Sequence, residues 1–313
     1  MRLFITIILV AASGYAATRW GVAAPEPAPE TAAPGPVIAA ATPVDEQAQA
    51  FILPAAQPAY APVLDTTLPT PAPDANAALV YNLGTETILY SKNDTVRAPI
   101  ASLTKVLTAL VVHDLFAVND VVTVASSAVR VDGIRQTLFA GERIRVGDLM
   151  TLMLVESSND AAYALAAHAS SQGIDLVGRM NDRAESLGMV HSLFTDPAGL
   201  DDTAYATVKD LIRLVKEAVR YPGLWTVMRE PEVTVSSADG VIQHVAKNTN
   251  ALLDDFPGII WGKTGNTDGA LGCMLLIVEI PEKNDIIVSA VLGSRSRFSD
   301  TRLLVDWVQQ AWR

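Results

Sequence analysis

The sequence predicts an α+β domain in which one antiparallel sheet is flanked by helices, and three observations carry that reading. Residues 78–81 and 87–90 are short apolar runs on either side of Gly84-Thr85, the pattern of a hairpin. Two further runs, 273–280 and 286–292, enclose the turn-forming Pro281-Glu282-Lys283-Asn284-Asp285, which makes them an antiparallel pair. Between these two ends the apolar residues recur at helical spacing, so helices supply the rest of a layer packed on the sheet.

Each element follows from its own pattern. After Pro99, the residues Leu103, Val106, Leu107, Leu110 and Val111 make one apolar helical face, with Ser102 and Lys105 one turn apart on the neighbouring face. Residues 146–155 read as a second apolar helix. It is interrupted at Glu156-Ser157-Ser158-Asn159 and resumes over 160–169, which puts Ser157 and Asn159 on an interhelical loop. Residues 258–265 read as a strand. The closing segment, 301–312, carries Leu303, Leu304, Trp307, Val308, Ala311 and Trp312 on one stripe. Such a helix can lie on a membrane, but the preceding sheet needs a cover, and that is the expected role.

Composition limits the function classes. With 313 residues and 50% hydrophobic content, the chain can bury a sizeable core. A net charge of -11 excludes a nucleic-acid partner, which requires clustered Lys and Arg to neutralise phosphate. Cys273 has no second thiol with which to form a disulfide or zinc pair and is expected as a small buried residue in a strand. His113, His168, His191 and His244 have no metal-ligand spacing, so no metal and no cofactor is expected.

The N-terminus has the order of an export signal: Met1-Arg2, an apolar run over 3–17, then small residues. That run is shorter than the ~18 apolar residues of a spanning helix, so cleavage is favoured over retention. Residues 1–22 are therefore a signal peptide or an N-terminal anchor, and the destination is the periplasm or the extracellular cell-wall space. Residues 23–76 read as a linker rich in Ala and Pro, since 12 of the 18 prolines fall between Ala23 and Asp74. In polyproline II such a stretch reaches on the order of 150 Å, as a passive spacer or as a tether to a membrane. The catalytic domain is expected over 77–313.

A serine hydroxyl becomes a useful nucleophile only when a base removes its proton, and a lysine can do so only when partly neutral. A partly desolvated pocket around Lys105 would disfavour its charge and make it a usable base for Ser102. By composition a Ser three before a Lys arises about 0.6 times by chance in a domain of this size, whereas Lys263-Thr264-Gly265 has about a 3% chance of occurring anywhere. Their conjunction with Ser157-Ser158-Asn159 is what points to one site. It supplies a nucleophile, proton-handling groups, an amide-binding Asn and a cationic, hydroxyl-bearing strand for a carboxylate.

Ser102-Leu103-Thr104-Lys105, Ser157-Ser158-Asn159 and Lys263-Thr264-Gly265 resemble the SxxK, SxN and KTG signatures of penicillin-binding proteins and serine β-lactamases. The sequence is most similar to low-molecular-mass D-alanyl-D-alanine carboxypeptidases. Pro197-Ala198-Gly199-Leu200-Asp201, Tyr205-Ala206-Thr207 and Val291-Leu292-Gly293 followed by Arg297-Phe298 add to the likeness, which runs from about Ala77 to the C-terminus. The resemblance implies a β-lactamase/transpeptidase-like fold with a helical subdomain and the site between subdomain and sheet. It implies acylation of Ser102, Lys105 as base and Ser157 as proton donor to the leaving amine. Asn159 would hold the substrate amide, Lys263, Thr264 and Arg297 the terminal carboxylate, and the backbone N–H groups of Ser102 and Asn266, the latter following Gly265, the oxyanion. The implied partners are peptidoglycan stem peptides, with β-lactams as covalent inhibitors.

Two departures stand out. Asp196 precedes Pro197 where the family usually has Asn, and only 48 residues follow Gly265, a length shared with D,D-endopeptidases that cut cross-links. A class A β-lactamase would need a deacylating Glu some 35 residues after SxN, and residues 191–200 contain none. A catalytically dead wall-binding module is opposed by the three intact motifs.

Overall fold

A computed structural model describes residues 62–131, 137–256, 258–280 and 285–312. In it the strands of both chain ends meet in a single sheet. The hairpin β1 (Ala77–Asn82) and β2 (Thr87–Lys92) turns where Asn82 Oδ1 accepts the N–H groups of Gly84 and Thr85, each at 2.9 Å.

The polypeptide then builds a helical layer. It comprises α1 (Thr104–Leu115), α2 (Val146–Val155), α3 (Asn159–Ser171), α4 (Leu176–Ser186), α5 (Val208–Ala218) and the single turn α6 (Pro222–Trp225). Two small hairpins interrupt it, β3 (Val121–Thr123) with β4 (Arg143–Arg145) and β5 (Glu232–Ser236) with β6 (Gln243–Lys247). Three long strands follow, β7 (Ile259–Thr267), β8 (Leu271–Ile280) and β9 (Asp285–Ser294), and α7 (Arg297–Ala311) closes the chain.

The main sheet has five strands in the order β2-β1-β9-β8-β7, all neighbours antiparallel. Its central strands are buried on both faces, and side chains alternate between two cores. Along β8, Cys273, Leu275 and Ile277 face the helical layer, while Met274, Leu276 and Val278 face Leu304, Val305 and Val308 of α7. The closing helix therefore covers the sheet, as the apolar stripe predicts. Cys273 is fully buried, which pushes its thiol up to about 11.

The Pro-rich stretch ends earlier than its composition suggests. Residues 62–76 lie along the body: Leu64 pairs with Trp312, Tyr90 donates to the Pro71 carbonyl and Lys92 to the Pro73 carbonyl. The strap is pinned by buried Asp300, whose carboxylate accepts from Asp74 N at 3.0 Å, Ala75 N at 2.9 Å and Ser294 Oγ at 2.7 Å. Segment 1–22 and the linker up to residue 61 lie outside the described residues. Among the described residues no helix is long and apolar enough to cross a membrane.

Candidate active site

Ser102 occupies a 3-10 turn, Ala101–Leu103, rather than the α-helix itself, and α1 starts two residues later. Ala101, just before it, has φ 47°, a left-handed conformation that a residue with a Cβ adopts only under constraint. Fully buried Ile100 and Leu103 hold the turn in the core.

Lys105 has no exposed surface. Its Nζ lies 2.8 Å from Ser102 Oγ, 2.8 Å from Asn159 Oδ1 and 2.7 Å from the Ala198 carbonyl oxygen. A neutral amine has two hydrogens and one lone pair. The amide oxygen and the backbone carbonyl can only accept, so they take both hydrogens and leave the lone pair for the Ser102 hydroxyl proton. Burial favours that neutral form and brings Lys105 down to about 7, against the opposing pull of the Asp196 and Asp160 carboxylates.

Ser157 and Asn159 are set by the junction of α2 and α3. Ser157 has φ 66°, which breaks the helix, and Ser158 then caps α3 by accepting from Ala161 N. Asn159 is the first residue of α3 rather than part of the loop, so its side chain is fixed by the helix.

The third wall is β7. Lys263 is fully buried and donates to Ser157 Oγ at 2.8 Å and to the Thr264 carbonyl at 3.0 Å. Burial, with Lys105 and Arg297 nearby, drives its ammonium well below the usual lysine range. Gly265 lets this strand approach the nucleophile: a Cβ there would fall 2.9 Å from Ile100 O and 3.1 Å from Ser102 N. Arg297, at the start of α7, donates to Asn266 Oδ1 at 3.3 Å and lies over the Phe298 ring. Its Nε is buried with no acceptor among the described residues. The structure thus links Ser102, Lys105 and Asn159 in one hydrogen-bonded cluster, and Lys263 and Ser157 in a second, with Gly265 bringing β7 against the Ser102 turn. Among the described residues no His, Cys, Asp and Glu group could hold a metal.

A sequence profile of Peptidase_S11, the D-alanyl-D-alanine carboxypeptidases, matches residues 65–296. The chain belongs to this family. A Pseudomonas aeruginosa relative named D-alanyl-D-alanine endopeptidase is 31% identical over 239 residues, 75% of this chain and 77% of the relative. A D-alanyl-D-alanine carboxypeptidase of Streptomyces sp. strain K15 is 29% identical over 266 residues, covering 79% and 90% of the two chains. The crystal structure of the Streptomyces K15 DD-transpeptidase matches with TM-score 0.72 and 26% identity, over 78% of this chain and all of that one. Fold and class follow: a serine peptidase of the penicillin-binding type, with a sheet flanked by helices.

Two parts of the site in this D-alanyl-D-alanine carboxypeptidase family member have no motif of their own. Thr249 Oγ1 is 2.6 Å from Thr264 Oγ1, while its N–H donates to the Val155 carbonyl at 3.2 Å, so it ties β7 to the end of α2. The Ala198 carbonyl reaches Lys105 from 93 residues away. It does so because Gly199, at φ 74°, packs so closely that a Cβ would fall 1.9 Å from Ala101 O.

Proposed function

We propose that this chain is a D-Ala-D-Ala carboxypeptidase that trims peptidoglycan stem peptides through an acyl-enzyme on Ser102. The observation that carries the reading is the Lys105 amine, dry, held by two acceptors and left with its lone pair toward Ser102 Oγ. Ser102 Oγ attacks the carbonyl of the penultimate D-alanine as its proton passes to Lys105. Ser157, bonded to Lys263, hands its hydroxyl proton to the departing amine of the last D-alanine and is reprotonated with the proton that Lys105 took from Ser102, which leaves the lysine neutral again. Water then hydrolyses the ester and frees Ser102. The oxyanion is received by the backbone N–H groups of Ser102 and Asn266, a role supported by the close approach that Gly265 permits.

The carboxypeptidase reading rests on the donors that β7 and the start of α7 offer beside the nucleophile. Lys263, Thr264 and Arg297, with its unfilled Nε donor, suit the free carboxylate of a terminal residue. The endopeptidase reading is favoured by the name of the Pseudomonas relative. The two are separated by mass spectrometry of products from a defined pentapeptide and a cross-linked muropeptide, with Ser102→Ala as control. Release of D-alanine from the pentapeptide, lost in Ser102→Ala, supports the carboxypeptidase. Cleavage of the cross-link alone transfers the reading to the endopeptidase.

The reading places the enzyme outside the cytoplasmic membrane, with residues 1–22 as export signal or anchor and the Pro-rich stretch as spacer. A β-lactam would acylate Ser102 and stay. Asp196 is the acid of the loop where a β-lactamase has its water-activating carboxylate, and both its oxygens are occupied by backbone N–H groups.

A further inference from the structure

Asp196 departs from the residue usual in the family at a loop that touches the nucleophile region from behind. Its carboxylate is buried, and the chain wraps around it. Oδ1 accepts from Ala198 N and Gly199 N, each at 2.7 Å, and Oδ2 from Leu200 N and Asp201 N, each at 2.9 Å. A carboxylate has only acceptors and suits four donors. An Asn has one oxygen and would turn its NH2 group toward two backbone N–H groups.

The loop so formed makes three contacts with the catalytic turn and α1. Its Ala198 carbonyl accepts from Lys105 at 2.7 Å, its Pro197 carbonyl accepts from Thr108 Oγ1 at 2.8 Å, and Gly199 packs against the Ala101 carbonyl. We propose that Asp196 is a positioning residue that holds the Ala198 carbonyl on Lys105 and, by its charge, sets the pH range in which Ser102 is acylated.

The charges around Lys105 can be assigned by element. From α3 comes Asp160, buried and bonded to Thr137 N, Leu138 N and Ala161 N. From β7 comes Lys263, whose own ammonium is disfavoured first by burial and then by Lys105. From the 196–201 loop comes Asp196. Of the two carboxylates only Asp196 also carries a group that touches the Lys105 amine. Burial lowers Lys105, and the Asp196 charge opposes burial more than Asp160 does. Removing that charge should therefore extend acylation to lower pH while loosening the carbonyl that orients the amine.

The test is the rate of Ser102 acylation by benzylpenicillin, followed by stopped flow from pH 5 to 10 in the full chain. It rests on Lys105 acting as base, and the wild-type profile checks that first: with no acidic limb, the reading of Lys105 fails. With a limb present, Asp196→Asn should move it down by about one pH unit and lower the plateau at least tenfold. Asp196→Glu keeps the charge but shifts the carboxylate by one methylene, so it should lower the plateau and leave the limb in place. A merely structural role would lower the plateau in both variants without moving either limb, and that result overturns the inference. Where Asp196→Asn does not fold, Asp196→Ser, which also removes the charge, takes its place: a limb that stays where the wild type has it overturns the inference, as does a wild-type plateau in Asp196→Glu.

Discussion

Burying Lys105 opposes folding, and the sign of that effect is set by pH. With its amine at about 7 in the folded state against 10.5 in the unfolded chain, the unfolded state binds the extra proton between those values. Stability therefore rises as pH climbs from 7 to 10.5, and the full penalty applies below 7. Each unit of displacement corresponds to about 1.4 kcal/mol, so the penalty is on the order of a few kcal/mol, reduced by the bonds to Asn159 and Ala198. Lys105→Met should abolish acylation yet raise Tm at pH 6, with the gain shrinking toward pH 10. A Tm gain that does not change with pH would contradict a charged-state penalty. Thr249 offers a second test at this scale. Its hydroxyl is hydrogen-bonded to that of buried Thr264, so Thr249→Val leaves Thr264 unsupported. Steady-state kinetics on a D-Ala-D-Ala peptide should show KM raised about five- to tenfold, worth about 1 kcal/mol, with kcat within about twofold and recovery in Thr249→Ser.

At the scale of elements, the helices and long strands were legible because each carries a period that its burial requires. The 3.6-residue stripe after Pro99 became α1, and the two C-terminal apolar runs became β8 and β9. The hairpins β3–β4 and β5–β6 were not foreseen. Val121–Thr123 and Arg143–Arg145 are too short to show a period, although Glu232–Ser236 alternates and could have been found. The three catalytic motifs were legible because their spacing is local. The Ala198 carbonyl and Thr249 were not, since backbone groups have no sequence signature and their partners lie far along the chain. The strap was misassigned for a related reason: Pro content is read as unfolded linker, yet residues 62–76 are held by groups on distant elements. Asp300 is the test of that attachment. Its carboxylate serves two strap N–H groups and Ser294 Oγ, so Asp300→Ala should cost about 2–4 kcal/mol in urea unfolding. A loss below about 0.5 kcal/mol would show the strap to be dispensable.

Over the whole molecule, the site exists only where the helical layer meets the sheet, because Lys105 and Asn159 come from helices and Lys263 from β7. A covalent ligand on Ser102 therefore spans both layers. Benzylpenicillin should give a stable mass increase on Ser102 lasting minutes or longer, together with a raised Tm, since Asp196 has no free oxygen with which to activate water. Rapid repeated turnover, lost in Asp196→Asn, would instead mark a β-lactamase.

The pairing of Leu64 with Trp312 also sets where the strap first meets the body. Arg297 opens α7 beside the cleft and Ala311 ends it, so fifteen residues at the helical rise separate the two ends by roughly 20 Å. The strap thus begins at the end of α7 remote from Arg297 and is held again near the start of that helix. Force applied at Leu64 is therefore taken up first at Trp312 and then, at the opposite end of α7, by Asp300 through Asp74 and Ala75.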